Sequence, residues 1–255
     1  MPTLVTLISA TRSSEELFWS FSPLGLSIKR LSSTGGGFGD IDEFDLSVIY
    51  RSCVHFDNSK GLSEVYNSSI EERFLLSYVP EVTDEILVFV HDDVWIDDAN
   101  IGQHLVDGLK EFDVVGVVGS VQRLPGQASW AFLPGLERSA GLELAFRPNL
   151  GNVSGMISQA VEPCGKVGFY GPWRQQCELL DGVFLAVRKE TLSRTGLRFD
   201  SVFDFHFYDL DFCRTARSLG LRLGTWPISI THQSEGSHGE DWLNCYARYI
   251  AKWGD

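Results

Sequence analysis

Three adjacent residues, His91, Asp92 and Asp93, end an unbroken apolar run from Ile86 to Val90. Such a run reads as a buried strand. Carboxylates at its carboxyl end place concentrated negative charge where open α/β sheets bind ligands. Two acidic side chains there repel each other and lose hydration, so they call for a compensating cation. A hard divalent ion such as Mg²⁺ or Mn²⁺ accepts one or two carboxylates and fills its remaining positions with water and phosphate oxygens. The chemistry this suggests is metal-assisted work on a phosphorylated substrate. Asp97 and Asp98 read instead as caps of a helix starting near Ala99.

A second group of chemical residues lies between Leu180 and His232. Asp181-Gly182 interrupts an apolar strand, and the glycine there would let a ligand approach the backbone. Tyr208-Asp209-Leu210-Asp211 opens a helix. His232 ends a strand after Trp226-Pro227-Ile228-Ser229-Ile230-Thr231. Trp173 could present its indole to the apolar face of a sugar, or pack in the core. Arg174 could answer phosphate charge or pair on the surface. His238 reads as part of a surface loop.

The elements that must position these residues alternate in the first half. Leu4–Ser9, Leu26–Leu31, Leu46–Val54, Ile86–Val90 and Val114–Val118 read as strands. Helices are expected after Ser13-Ser14-Glu15-Glu16, over Gly61–Ser77 and over Asn100–Phe112. Strand–helix alternation implies a mostly parallel sheet with right-handed crossovers. Gly35-Gly36-Gly37-Phe38-Gly39 reads as a linker, because no phosphate-binding helix pattern follows it. Residues 120–175 are rich in glycine and proline and predict long loops and hairpins. Phe205–Leu219 predicts a helix, and Leu221–Ile230 short strands. Glu240–Trp253 predicts an amphipathic helix whose Trp242, Tyr246, Tyr249 and Trp253 form a core-facing stripe.

Taken in order, these segments resemble the family-two, inverting glycosyltransferases of the nucleotide-sugar-binding GT-A fold. That family has a "DxD"-type motif after a hydrophobic strand, then a "DGxxxxxRR" strand, then an "FDE…F…EDLDLCxRxxxxG" run. Here the matching stretches are "HDD" at 91–93, "DGVFLAVRK" at 181–189 and "YDLDFCRTARSLG" at 208–220. "SKGLSEVYNSSIEE" at 59–72 resembles the loop and helix before the metal strand. The likeness spans nearly the whole chain. It implies an α/β, GT-A single domain over 1–255, with a nucleotide-binding half (1–119) and an acceptor-binding half (120–255).

The resemblance also implies roles. Asp93 would hold Mn²⁺ or Mg²⁺ against the diphosphate of a nucleotide-sugar donor, with His91 and His232 as further ligands. His91 stands where the family has Asp. Asp92 would contact the nucleotide, as would Ala10, Thr11 and Arg12 after the first strand and Asp57 to Lys60 after the third. Asp209 would be the base that deprotonates the hydroxyl of a saccharide or glycoconjugate acceptor. Tyr208 stands where the family has Glu, and with Asp181, Gly182 and Trp173 it would line the acceptor pocket. A catalytically silent nucleotide- or sugar-binding module is the alternative. A nucleotidyltransferase would need a Gly-rich, basic loop after the first strand, and "SATRSSEE" is a poor match.

Composition narrows the partners. The 255 residues are 44% hydrophobic and 12% aromatic, enough for a full core. A net charge of −13 argues against nucleic acid and against an anionic membrane surface. Five scattered cysteines without a CxxC pair read as reduced thiols in a cytoplasmic protein. No apolar run reaches membrane-spanning length, and the N-terminus lacks a basic signal-peptide region.

Overall fold

The computed structural model describes residues 2–33, 48–75, 84–134, 146–149, 151–234 and 239–254. The chain runs through β1 (Thr3–Ala10), α1 (Glu15–Phe21), α2 (Pro23–Ser33), β2 (Val48–His55), α3 (Leu62–Leu75) and β3 (Asp84–Val90). β1 lies between β2 and β3, parallel to both. Leu4 to Ser9 of β1 and Ile86 to Val90 of β3 are buried without interruption, as befits strands covered on both faces. Their side chains alternate between two cores. Ile86, Val88 and Val90 join Val5 and Leu7 on one face, whereas Leu87 and Phe89 join Ile8 on the other.

One expected strand is a helix. Leu26–Leu31 lies inside α2, which starts with Pro23 at a position that needs no N–H. Its apolar residues fit a strand in alternation, but Leu24, Ile28 and Leu31 also recur at helical spacing and are the ones buried, in the core that Val5, Leu7, Ile86 and Val88 also join. The glycine-rich stretch 35–39 and His238 lie outside the described residues, as do Leu46 and the end of the Gly61–Ser77 segment.

Next come β4 (Val94–Ile96), α4 (Ile101–Glu111), β5 (Val114–Gly116) and β6 (Val118–Ser120). The expected Val114–Val118 strand thus divides at Val117 and serves two sheets. The Gly-rich middle forms β7 (Phe132–Pro134), β8 (Phe146–Pro148), β9 (Val153–Gln159) and β10 (Lys166–Gly171), paired antiparallel as β7 with β8 and β9 with β10. Gly155 in β9 has φ +96°, and a Cβ there would fall 2.0 Å from the Val117 carbonyl oxygen, so glycine is required at this crossing.

The remainder is β11 (Gln176–Cys177), β12 (Leu179–Leu180), β13 (Phe184–Arg188), α5 (Lys189–Thr195), α6 (Tyr208–Ser218), β14 (Leu223–Thr225), β15 (Ile230–His232) and α7 (Glu240–Trp253). The main sheet has the order β11-β14-β5-β13-β3-β1-β2 and is mostly parallel, with β13 and β11 reversed. A second sheet has the order β12-β6-β9-β15-β4, with β10 on β9. The protein is therefore a mixed α/β fold. Among the described residues no helix is long and apolar enough to cross a membrane, and all five cysteines are free.

Candidate metal centre and adjoining carboxylates

Strand register builds the centre. β15 runs antiparallel to β4, pairing His232 with Val94, and Gln233 N–H donates to the Asp93 carbonyl at 3.0 Å. His232 is thereby set beside Asp93 at the end of β3. On the other flank β13 runs antiparallel to β3, pairing Phe184 with Val90, and His91 N–H donates to the Val183 carbonyl. That pairing brings Asp181-Gly182 to the same sheet edge. The first turn of α2 adds a third fixing point, since Leu24 N–H donates to the Asp92 carbonyl at 3.1 Å.

His91, Asp93 and His232 each offer a ligand atom, and these atoms lie within 4.8 Å of one another. His232 Nε2 is 3.3 Å from Asp93 Oδ1, and His91 Nδ1 is 3.9 Å from the same oxygen. His232 and Ser234 act on this carboxylate as hydrogen-bonding neighbours, yet among the described residues no donor meets buried Oδ1 with regular geometry. A carboxylate oxygen so poorly satisfied, facing two imidazoles, is what a cation would satisfy. The three side chains remain 18, 29 and 16% exposed, which leaves an ion a path in. Burial works against the Asp93 carboxylate, yet His232 and His91 hold its pKa down to about 2. Burial also opposes charge on His232, but Asp93 raises its pKa above the usual imidazole value. At His91 burial wins and the pKa falls.

The Gly182 peptide joins this cluster to Asp209. Its N–H donates to Asp209 Oδ2 at 2.9 Å, and its carbonyl accepts from the Tyr208 hydroxyl at 2.8 Å. His91 Nε2 lies 2.9 Å from that same hydroxyl. The close approach that Gly182 permits is thus by the chain itself: a Cβ there would sit 2.4 Å from Tyr208 Oη and 2.7 Å from Asp209 Cβ. Burial, with the neighbouring Asp181 carboxylate, pushes the Asp209 pKa up to about 7. Asp181 is pinned by the Val183 N–H at 2.9 Å and the Trp130 indole N–H at 2.5 Å.

The backbone conformation behind this is unusual. Phe207, just before α6, has φ +65°, a left-handed conformation that bulky residues rarely adopt. It turns Tyr208 and Asp209 together toward Gly182. Packing holds the strain in place, because the Phe207 ring lies 5.1, 5.8 and 5.3 Å from Trp242, Tyr246 and Tyr249 of α7.

The residues expected to meet a nucleotide gather at the carboxyl ends of β1 and β2. Ala10 ends β1, paired with His55 of β2. Thr11 N–H donates to the His55 carbonyl, Asn58 N–H to the Thr11 carbonyl and Asp57 N–H to the Ser13 carbonyl, at 3.0, 2.9 and 3.0 Å. The Thr11 hydroxyl also bonds the Asp92 carboxylate, partly offsetting the rise that burial imposes on its pKa. Arg12 and Asp57 are exposed, and Lys60 is exposed and paired with Glu64.

Other sequence candidates stand apart. Trp173 packs on Phe169, ring centroids 5.9 Å apart, and no hydrogen bond or ring contact among the described residues joins it to the centre. Arg174 pairs with Glu111 and lies over the Trp226 ring. Asp211 is buried and structural, bonded to Trp253 and Lys252 of α7. Neither Asp97 nor Asp98 caps the helix as expected: α4 starts at Ile101 after Asn100 without a side-chain cap bond, Asp98 accepts from the Asn100 N–H in the preceding turn, and Asp97 braces Thr231 of β15. Two aromatic neighbours were not legible as site residues: Trp130, which holds Asp181 and meets Tyr170 edge-on, and Phe205, which stacks on His91 while 54% exposed. Both lie in irregular segments, where only a three-dimensional neighbour reveals a role.

No protein-family model matches the chain, and no curated protein matches its sequence.

Proposed function

We propose that this protein is a metal-dependent, inverting glycosyltransferase of the GT-A type, moving a sugar from a nucleotide-diphosphate donor to a hydroxyl of a saccharide or glycoconjugate. The observation that carries the reading is the Gly182 peptide, which fastens the His91 side of a metal-ligand cluster and the Asp209 carboxylate to one structural unit. The order of the HDD, DG and YDLD segments supports it independently.

His91, Asp93 and His232 would hold the cation, and the convergence of their ligand atoms around a poorly satisfied Asp93 Oδ1 supports their fit. A bound divalent ion supplies neutralisation of the charge that develops on the departing diphosphate. Two imidazoles favour Mn²⁺ over Mg²⁺, which prefers an all-oxygen shell. The remaining work belongs to the chain. Thr11 and Asp92, with the loop at 57–60, form the edge against which the nucleotide lies. Asp209 accepts a hydrogen bond from the acceptor hydroxyl and takes its proton as the oxygen attacks the anomeric carbon. Attack on the face opposite the diphosphate inverts the configuration. A base with a pKa of about 7 is matched to this task near neutral pH. Asp181 helps to raise that pKa, and Trp130 keeps Asp181 in place.

Calorimetry with Mn²⁺ and a panel of UDP-, GDP-, dTDP- and CDP-sugars tests the reading. Asp93→Ala is expected to abolish metal-dependent donor binding, and unchanged affinity would refute the ligand assignment. Asp209→Asn is expected to bind donor as the wild type does and to lose transfer by at least about a hundredfold. The His₂–Asp set also suits Fe²⁺ and Zn²⁺, so titration includes both. Saturable nucleotide binding with no sugar release by the wild type would leave a binding module instead.

A further inference from the structure

Tyr208 has a buried hydroxyl that meets the Gly182 carbonyl, His91 Nε2 and, close by, the Tyr66 hydroxyl, whose own proton can turn toward the Tyr208 oxygen. The Gly182 carbonyl, 2.8 Å away, can only accept a hydrogen bond. His91 Nε2, 2.9 Å away, can donate or accept depending on its tautomer. A phenol carries one proton. That proton is committed to the carbonyl, since otherwise two oxygens would face each other at 2.8 Å with no hydrogen between them. The second bond therefore runs from His91 Nε2–H to the phenolic oxygen. A neutral imidazole protonated on Nε2 carries its lone pair on Nδ1, and Nδ1 is the atom that faces Asp93 Oδ1 at 3.9 Å.

We propose that Tyr208 is a positioning residue, which fixes His91 as the Nε2–H tautomer and so aims a bare Nδ1 at the cation site shared with Asp93 and His232. The inference rests on the metal reading above and adds to it the ligating atom and the residue that selects it. A metal-bound histidine needs its other ring nitrogen tied to an acceptor, which is the part Tyr208 plays. Two further features hold the side chains in this arrangement. Position 182 must be glycine for the hydroxyl to reach its carbonyl, because a Cβ would meet Oη at 2.4 Å. The imidazole plane is also set by stacking on Phe205 and by the edge of His232, with ring centroids 6.0 and 5.9 Å away, so the ring is held on more than one side. An ionised acid at this position could also accept from His91 Nε2–H, but only the hydroxyl donates to the Gly182 carbonyl at the same time.

Tyr208→Phe isolates the hydroxyl, because the ring can keep its packing on Tyr66 and Phe199. Two readouts decide the matter. Long-range ¹H–¹⁵N spectra of the metal-free wild type at pH 8 are expected to show His91 protonated on Nε2, and the variant a mixture of tautomers. Calorimetry is expected to show Mn²⁺ affinity about 10- to 100-fold lower in the variant, with the thermal transition little changed. A wild-type His91 protonated on Nδ1, or equal Mn²⁺ affinity in the two proteins, would overturn the proposal. The wild-type spectrum alone decides the tautomer if the variant does not fold. Failure of the wild type to bind any divalent ion would instead sink the metal reading, a result distinct from either.

Discussion

At the scale of single residues, Asp209 is the most informative because its environment acts on the proposed catalysis and on stability in separable ways. As the proposed base it works when ionised, so transfer is expected to rise with pH through about 7 and level off above. Folding responds in the opposite sense. A carboxyl whose folded pKa is raised keeps its proton in the native state while the unfolded chain releases it. Its stabilising contribution is full below the unfolded value near 3.9 and is lost as pH rises through about 7. Asp209→Asn should therefore match the wild type near pH 4 and exceed it by about 2 kcal/mol at pH 8, after allowance for the partly open face of the side chain. Denaturant unfolding at the two pH values checks this, and equal gains at both would contradict it. Asp93 titrates in a different window, below the ordinary carboxylate range, so the two effects do not overlap. The positions of Asp93, His232 and Asp209 were readable because each sits where a regular element begins or ends. Trp130 and Phe205 were not, since loops bring them in by tertiary contact.

At the scale of elements, most of the main sheet followed from uninterrupted apolar runs and their bounding polar residues. Two elements show where that logic stops. In α2 the apolar residues satisfy both a twofold and a helical spacing, and burial of Leu24, Ile28 and Leu31 against the sheet selects the helix. At Val117 a continuous apolar run is cut because two sheets compete for it, which no local pattern encodes. The turn into α6 is a third case. Aromatic Phe207 occupies a left-handed conformation suited to glycine, held there by three rings of α7. Phe207→Ala should cost about 3 kcal/mol through lost packing. Phe207→Gly should cost about 1 kcal/mol less than Ala, because glycine takes positive φ without strain. Thermal or urea unfolding ranks the two variants, and Ala above Gly would show that the strain is negligible.

Across the whole molecule, two cores sandwich the mostly parallel sheet, and the centre lies at one edge where β3, β13 and β15 meet the start of α6. A chain with net charge −13 collects His91, Asp92, Asp93, Asp181, Asp209 and His232 there, so a divalent ion would relieve local repulsion as well as serve chemistry. The aromatic stripe of α7 has a consequence beyond the core it fills. α7 supplies none of the candidate ligands and follows all of them in sequence, yet its rings brace the turn that orients Tyr208 and Asp209. Distant aromatic bulk thus governs ligand geometry without touching a ligand. Replacing Trp242 and Tyr249 together with Ala is expected to slacken that turn and weaken Mn²⁺ binding, and unchanged Mn²⁺ affinity on calorimetry would contradict it.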